Sequence, residues 1–402
     1  TYFFTLYFLL KKYFLRVPST TWGSYPEISL FDHARVTAAL ADCLYGYHQE
    51  KKEKEIPPSP ILPKGGKRAS PSEKRGEQEF LLIEGDVSGI QKFIFNMVSP
   101  QQERARLTKR LRGRSFYLLL LTETLADYVL KRLDLKVVHQ LWCTGGHFLI
   151  IAPNTPTMTY HLKASYKDIN DFLIKTFRGE LGFVLSWEAA SGEDLEHDFY
   201  GVRRRLTEKT EREKRRKLHN VLENEKNLHF PSQPPECKDG GEVPEYIATV
   251  DKQLQGLNDL QENIGKLLPK LDKGYDKLAK IYKPGSKVPE GNFLTEFKIG
   301  ETSVSWAIYH GNCKQADTVY LLNTLDDGKF RKTSSVKHGF KFIATHCDTY
   351  QTQRDIEQHT HSNPDEPAEE GETKCFACMA KKGKGRFLGV LRMDVDRLGA
   401  VF

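Results

Sequence analysis

The chain has 402 residues, of which 39% are apolar, 28% charged and 11% aromatic. This excludes a collagen-like chain, a wholly disordered chain and a small disulfide scaffold, and leaves room for two or three domains. Sixty Lys and Arg stand against 53 Asp and Glu, a net charge of +7, which is compatible with a polyanionic partner without being evidence for one. The seven cysteines are an odd number, and only Cys375 and Cys378 sit close together, which points to a reducing, cytoplasmic setting.

The opening TYFFTLYFLLKKYFL is apolar, but Lys11 and Lys12 interrupt it well short of the roughly 20 residues that cross a bilayer. It reads as a core helix, with no membrane partner. Residues 1–50 read as helical throughout, with Pro18 and the WGSYP turn separating two helices and Ser29 and Asp32 capping the second. Residues 51–78 are dense in Lys, Pro, Ser and Gly and read as a linker.

The clearest unit begins at residue 79. FLLIEGDV is an apolar run of strand length, and SGIQKFIFNMV and RGRSFYLLLLTETLADYVLKRL have helical spacing. VVHQLWCTGGHFLIIAP predicts two strands about the Gly145-Gly146 turn. MTYHLKASYKDINDFLIKTF predicts a helix and GFVLSWEAA a strand. The order β-α-β-β-α-β is the ferredoxin-like arrangement of an α+β protein, with helices on one face of an antiparallel sheet. It is also the core of nucleotidyltransferase palm domains, although fold alone does not give function.

Beyond it, residues 196–228 form a charged helix centred on VRRRLTEKTEREKRRK. Its plain reading is a solvated face with i,i+4 pairs. The sharper one is a phosphate-contacting helix using Arg203, Arg204, Arg205, Arg215 and Arg216. A basic, helical insertion is expected over about 196–300, polar and Gly/Pro-rich after residue 229. SVSWAIYH, DTVYLLNT and GFKFIATH predict strands, as the rest of the palm sheet or a flanking layer. Residues 348–385 read as a connector, with HTHSNPDEPAEEGE as a loop, and RFLGVLRMDVD opens a further strand. The chain thus starts on a helix without preceding partners and stops at a strand and its turn, so a piece of a longer protein is expected.

Several motifs carry possible chemistry. MDVD places Asp394 and Asp396 two apart on a strand, so both side chains share one face, where paired carboxylates need a counter-charge such as divalent metal. The alternative is a strand-to-helix junction capped by Asp396. LLIEGDVSGIQKF has the same layout around Asp86, but Gly85 stands directly before it and the partner carboxylate reads as missing. His147 and Phe148 follow Gly145-Gly146 where a catalytic palm carries acidic residues, so this palm is expected to lack metal ligands. Asp32 and His33 at a helix start are either a cap with an exposed histidine or part of a metal-binding site. Cys375 and Cys378 form one C-x-x-C, with His346, Cys347, His359 and His361 as possible completing ligands. KCFACMAKK also reads as a short amphipathic helix with small apolar cysteines, and one pair does not specify zinc.

Together ISLFDHARVTAALA, LLIEGDVSGIQKFIF, LRGRSFYLLLLTE, WCTGGHFLIIAP and LGVLRMDVDRLG resemble one family, the large subunit of type III-A CRISPR–Cas (Csm) effector complexes. The resemblance implies an HD nuclease domain that cuts single-stranded DNA. It also implies two palm domains, the second with a GGDD motif, that convert ATP into cyclic oligoadenylates when guide RNA pairs with target RNA. On this chain, residues 1–50 resemble the end of the HD domain, with His33 as a metal-site histidine. Residues 79–347 resemble the first, non-catalytic palm and 386–402 the first strand of the second. Asp394 and Asp396 match the catalytic, metal-binding carboxylates for magnesium or manganese. Asp86, Val87, Ser88, Gly145 and Gly146 would lie beside ATP. Of the family's cysteine pairs in the insertion only Cys237 remains, which argues against zinc there. The chain alone is expected to be inactive, since the HD doublet and GGDD hairpin are not in it. Two alternatives stay open: a non-catalytic scaffold subunit, and a diguanylate-cyclase-like signalling protein.

Overall fold

The computed structural model describes residues 2–20, 28–51, 76–95, 107–216, 277–282, 293–309, 316–326, 336–343 and 349–362, with 260, 263, 264, 328, 368–371, 374 and 378. The helices α1 (Tyr2–Phe14) and α2 (Leu30–Glu50) come first, as the sequence predicts. Ser29 caps α2, its hydroxyl accepting from the Asp32 backbone N–H at 2.9 Å and donating to the Asp32 carboxylate at 2.8 Å.

The ferredoxin-like unit read above as a palm follows as β1 (Phe80–Ser88), α3 (Ile90–Phe95), α4 (Leu107–Arg132), β2 (Gln140–Thr144), β3 (His147–Pro153), α5 (Pro156–Phe177) and β4 (Gly182–Ala190). The antiparallel sheet has the order β2-β3-β1-β4, the ferredoxin-like topology. The backbone at Gly145 and Gly146 has positive φ, 59° and 90°, the geometry that a tight β2–β3 hairpin needs.

Helices on only one face were expected, and the structure differs. Leu81, Ile83 and Val87 of β1 join the core shared with α4 and α5. Phe80 and Leu82, on the other face, join a second core with Ala39 and Cys43 of α2. That core is completed by Val202 and Leu206 of α7 (Phe199–Arg215), which follows the short α6 (Gly192–His197). Both faces of β1 are thus covered, which is why its sequence runs apolar without alternation up to Glu84.

The strands expected late in the chain do not extend the palm. They form a separate five-stranded sheet, ordered β6-β7-β5-β8-β9. Its members are β5 (Lys277–Ile281), β6 (Phe293–Ile299), β7 (Thr302–Tyr309), β8 (Thr318–Leu322) and β9 (Lys337–Lys341). Two of them, β5 and β6, fall where only polar, helical insertion was read. Leu278, Phe297 and Trp306 of this sheet share the core that holds Leu121 and Leu125 of α4 and Leu173 of α5. The α4–α5 layer therefore lies between two sheets. A last helix, α8 (Gln353–Ser362), overlaps the start of the stretch read as a loop. Among the described residues no helix is long and apolar enough to cross a membrane.

Candidate functional site

The residues singled out around Asp86 converge at one end of the palm sheet. Asp86 on β1 lies directly opposite His147 on β3. The Val87 backbone N–H donates to the Gly146 carbonyl at 2.8 Å and ties the hairpin tip to the end of the strand. Asp86 is buried, 3% exposed, and Glu84 shares its face of β1. The expectation that Asp86 lacks a partner carboxylate is therefore wrong: Glu84 and Asp86 stand two apart, the spacing of Asp394 and Asp396. Glu188 of β4 lies opposite Leu82 and brings a third carboxylate to that face.

What faces these carboxylates is α7. Its Gly201, Val202, Leu206 and Thr210 are buried at helical spacing, so one stripe of this charged helix docks on the sheet. The flanking side chains then meet the carboxylates. Arg203 donates to Glu84 at 3.3 Å and stacks its guanidinium over Trp142, 4.8 Å from the ring centroid. The Thr210 hydroxyl donates to the other Glu84 oxygen at 2.8 Å. Arg205 donates to Glu188 at 3.0 Å, and Lys209 pairs with the same carboxylate. The Lys214 ammonium is 2.5 Å from Asp86 Oδ2, and His147 Nδ1 is 2.9 Å from the same oxygen.

Electrostatics follow this geometry. The hydrogen bond to Asp86 raises the His147 pKa above its ordinary 6.5, against a smaller opposing effect of burial and of Lys214. Burial on its own would depress Lys214, but Asp86 and Glu211 outweigh it and hold the ammonium charged. A paired-carboxylate site of the palm type would be completed by divalent cations. Here protein cations fill the counter-charge position, and the residues present at this palm do not fit a metal.

Two features at this end of the sheet are not taken up by packing or pairing among the described residues. Gly145 is exposed at the hairpin tip with no atom within 4 Å of where a Cβ would stand. The Ser88 hydroxyl is buried and has no hydrogen-bond partner among the described residues.

The other candidates separate from this site. His33 is exposed on α2, and its carbonyl accepts from the Thr37 hydroxyl at 2.8 Å. Among the described residues no group of three or more His, Cys, Asp or Glu converges as a metal site. Arg203 and Arg205 are turned to the sheet, not outward as a phosphate-contacting face needs. Arg204, Arg215 and Arg216 are exposed, and Arg204 lies 3.9 Å from Glu208. His359 Nδ1 is 2.9 Å from the Tyr350 hydroxyl and 3.4 Å from Cys378 Sγ. Asp394, Asp396, Cys375, Cys237, His346 and Cys347 lie outside the described residues. Sequence reasoning set Glu84 aside because Gly85 follows it, and missed Glu188, Thr210 and Lys214. The signal available was the four-residue spacing of Val202, Leu206 and Thr210 inside the charge run.

Comparison with known proteins fits this geometry. Residues 79–234 match the family described as Csm1 subunit domain B. A CRISPR system single-strand-specific deoxyribonuclease Cas10/Csm1 (subtype III-A) of Methanocaldococcus jannaschii is 35% identical over 45% of this chain and 23% of its own length. The protein of the same description from Thermococcus onnurineus is 27% identical over 98% of this chain and 45% of its own length.

The chain is similar to Cas10/Csm1 subunits of type III-A CRISPR systems.

It spans less than half the length of either of these relatives. The crystal structure of a Csm1–Csm4 subcomplex of the type III-A interference complex aligns with a TM-score of 0.58 at 24% identity. That alignment covers 93% of this chain and 41% of the other. A Csm1–Csm4 cassette in complex with cA3 aligns with a TM-score of 0.59 at 23% identity, over 94% of this chain and 41% of the other. These likenesses establish that this chain has the fold of the matching part of Csm1.

Proposed function

We propose that this chain serves in the large subunit of an RNA-guided type III-A CRISPR antiviral effector, and that its palm is the non-catalytic half of an ATP-handling pair. The observation that carries the reading is the carboxylate face of β1, held by Arg203, Lys214 and His147. A palm with its carboxylates neutralised in this way has no charge left for a metal, yet keeps an exposed hairpin tip and a buried Ser88 hydroxyl with no partner among the described residues. Divalent metal is assigned instead to Asp394 and Asp396, where it would stabilise charge developing on the phosphates of ATP. The likeness to Csm1–Csm4 cassettes in complex with one ATP, cA3 and cA4 supports ATP as substrate and cyclic oligoadenylate as product. The relatives' description as single-strand-specific deoxyribonucleases supports single-stranded DNA as a second substrate, with His33 belonging to that site. Csm4 and other subunits of the complex, guide RNA and target RNA are the partners of this reading, and its setting is the cytoplasm.

The test is ATP conversion by the assembled effector containing this chain. Replacing Asp394 and Asp396 by Ala abolishes cyclic oligoadenylate formation, whereas Ser88→Ala raises the KM for ATP severalfold with the fold intact. Unchanged conversion in the Asp394→Ala, Asp396→Ala variant sinks the catalytic assignment and favours a scaffold subunit.

A further inference from the structure

A cavity of about 400 Å³ opens on the other side of α4 from the palm sheet, between α1, the C-terminal end of α4 and the five-stranded sheet. That volume lies within the ordinary range of small-molecule sites. Its walls include Phe4 and Tyr320, whose rings meet edge-on with centroids 6.2 Å apart. Its polar lining is one-sided: Lys131, Lys136, Lys280 and Lys337 stand against one carboxylate, Asp127.

Two of these lysines are already neutralised. Lys280 is buried and pairs with Asp127, which also accepts from the Tyr282 hydroxyl at 2.8 Å. Lys136 Nζ lies 2.9 Å from Asp134 Oδ1. Lys131 and Lys337 have no carboxylate within ion-pair distance among the described residues. Lys131 sits over the face of the Tyr282 ring, and the Lys337 ammonium is 6.0 Å from the Phe4 centroid. Dehydration against the cavity wall pushes the Lys131 pKa down to about 8; Asp127 opposes this, while Lys280 and Lys337 add to it. Crowded ammonium groups beside aromatic walls are relieved by an incoming anion, and the rings favour one that carries a flat, weakly polar body.

We infer that this cavity binds a small phosphate-bearing molecule with an aromatic ring, of the nucleoside monophosphate class. Lys131 and Lys337 meet the phosphate, and the Phe4–Tyr320 wall receives the ring. The site is independent of the palm reading, because none of its residues touches the Asp86 face.

The experiment is calorimetric titration of the 402-residue chain with AMP, adenosine and inorganic phosphate. AMP is expected to bind at least tenfold more tightly than either of its halves. Lys131→Met and Lys337→Met, which keep the aliphatic stem, each weaken AMP at least tenfold and leave adenosine unchanged. Ser88→Ala leaves AMP affinity unchanged, which separates this cavity from the palm. In a second measurement, acylation of Lys131 at pH 8 slows when AMP is present. AMP bound no better than adenosine or phosphate, affinity indifferent to both lysines, affinity lost in Ser88→Ala, or unprotected Lys131 would each overturn the assignment.

Discussion

The Asp86 carboxylate meets the Lys214 ammonium and the His147 ring on one oxygen, and this decides how His147 titrates. The groups facing His147 are Asp86, Lys214 and Glu84, and the two carboxylates prevail over the lysine and over burial. The folded pKa therefore lies above the ordinary 6.5. Stability contributed by this pair is fully present below pH 6.5 and is lost as pH rises through the folded value. An NMR titration of His147 should show a midpoint above 6.5, and Asp86→Asn should bring it to 6.5 or lower, since burial and Lys214 then act without the main opposing charge. A midpoint unmoved by Asp86→Asn would mean that the hydrogen bond is not what holds the proton. At this scale the sequence was partly legible. The hairpin glycines, Asp86 and the replacement of acidic residues by His147-Phe148 could be read directly. That Glu84 pairs with Asp86 follows from strand period alone, but Gly85 between them disguised it. Lys214 could not be placed, because it reaches Asp86 across 128 residues through a helix whose docking no local pattern announces.

The helix α7 shows how a charge run misleads. Its composition is that of a solvated or phosphate-binding helix, yet its stripe of Val202, Leu206 and Thr210 is buried and its inward cations are spent on Glu84, Glu188 and Asp86. Leu206 is fully buried against Phe80, Leu82 and Val202, so Leu206→Ala should cost about 2–5 kcal/mol in a denaturant titration. A loss under about 0.5 kcal/mol would mean that the helix is not docked, as for an ordinary surface substitution. The same geometry divides the arginines read as phosphate-contacting, whose partner under the proposed function would be guide RNA. Arg215 and Arg216 are exposed, so Arg215→Glu with Arg216→Glu should weaken guide-RNA binding and make its log–log salt slope shallower, by about 0.7 per lost phosphate contact. Unchanged affinity and slope would remove α7 from the RNA interface. Reversal of Arg203 is a different experiment, since it breaks the Glu84 pair and lowers stability first. The strands β5 and β6 were illegible for a related reason. KLAKI and FLTEFKI are short and carry lysine, and the partner that makes Lys280 tolerable in a strand is Asp127 on α4.

At the scale of the whole molecule, α4 is the element on which both sheets depend. Its Leu121 and Leu125 belong to the core that also holds Ile83 and Phe148 of the palm and Phe297 and Trp306 of the second sheet. Polar links fasten it to the second sheet, among them Asp127 to Lys280, Glu123 to Lys341, and the Trp306 indole N–H donating to the Thr124 hydroxyl at 2.9 Å. Of these, Asp127–Lys280 is the most consequential. Lys280 is 2% exposed, and burial opposes its charge while Asp127 sustains it, holding its pKa well above the usual lysine value. Removing one member strands the other as an uncompensated charge, which typically costs about 3–5 kcal/mol, whereas replacing both by groups of similar shape costs far less. Asp127→Asn and Lys280→Met should each destabilise strongly, and the double variant should recover most of the loss. If instead the two single costs add, the pair is not coupled and the account of Lys280 fails. Because one core spans both sheets, the loss should appear everywhere at once. Unfolding followed by Trp306 fluorescence, with the other tryptophans replaced by Phe, should coincide with far-UV circular dichroism in the parent and in each variant. Two separated transitions would show that the second sheet folds as its own unit and that α4 does not unite them.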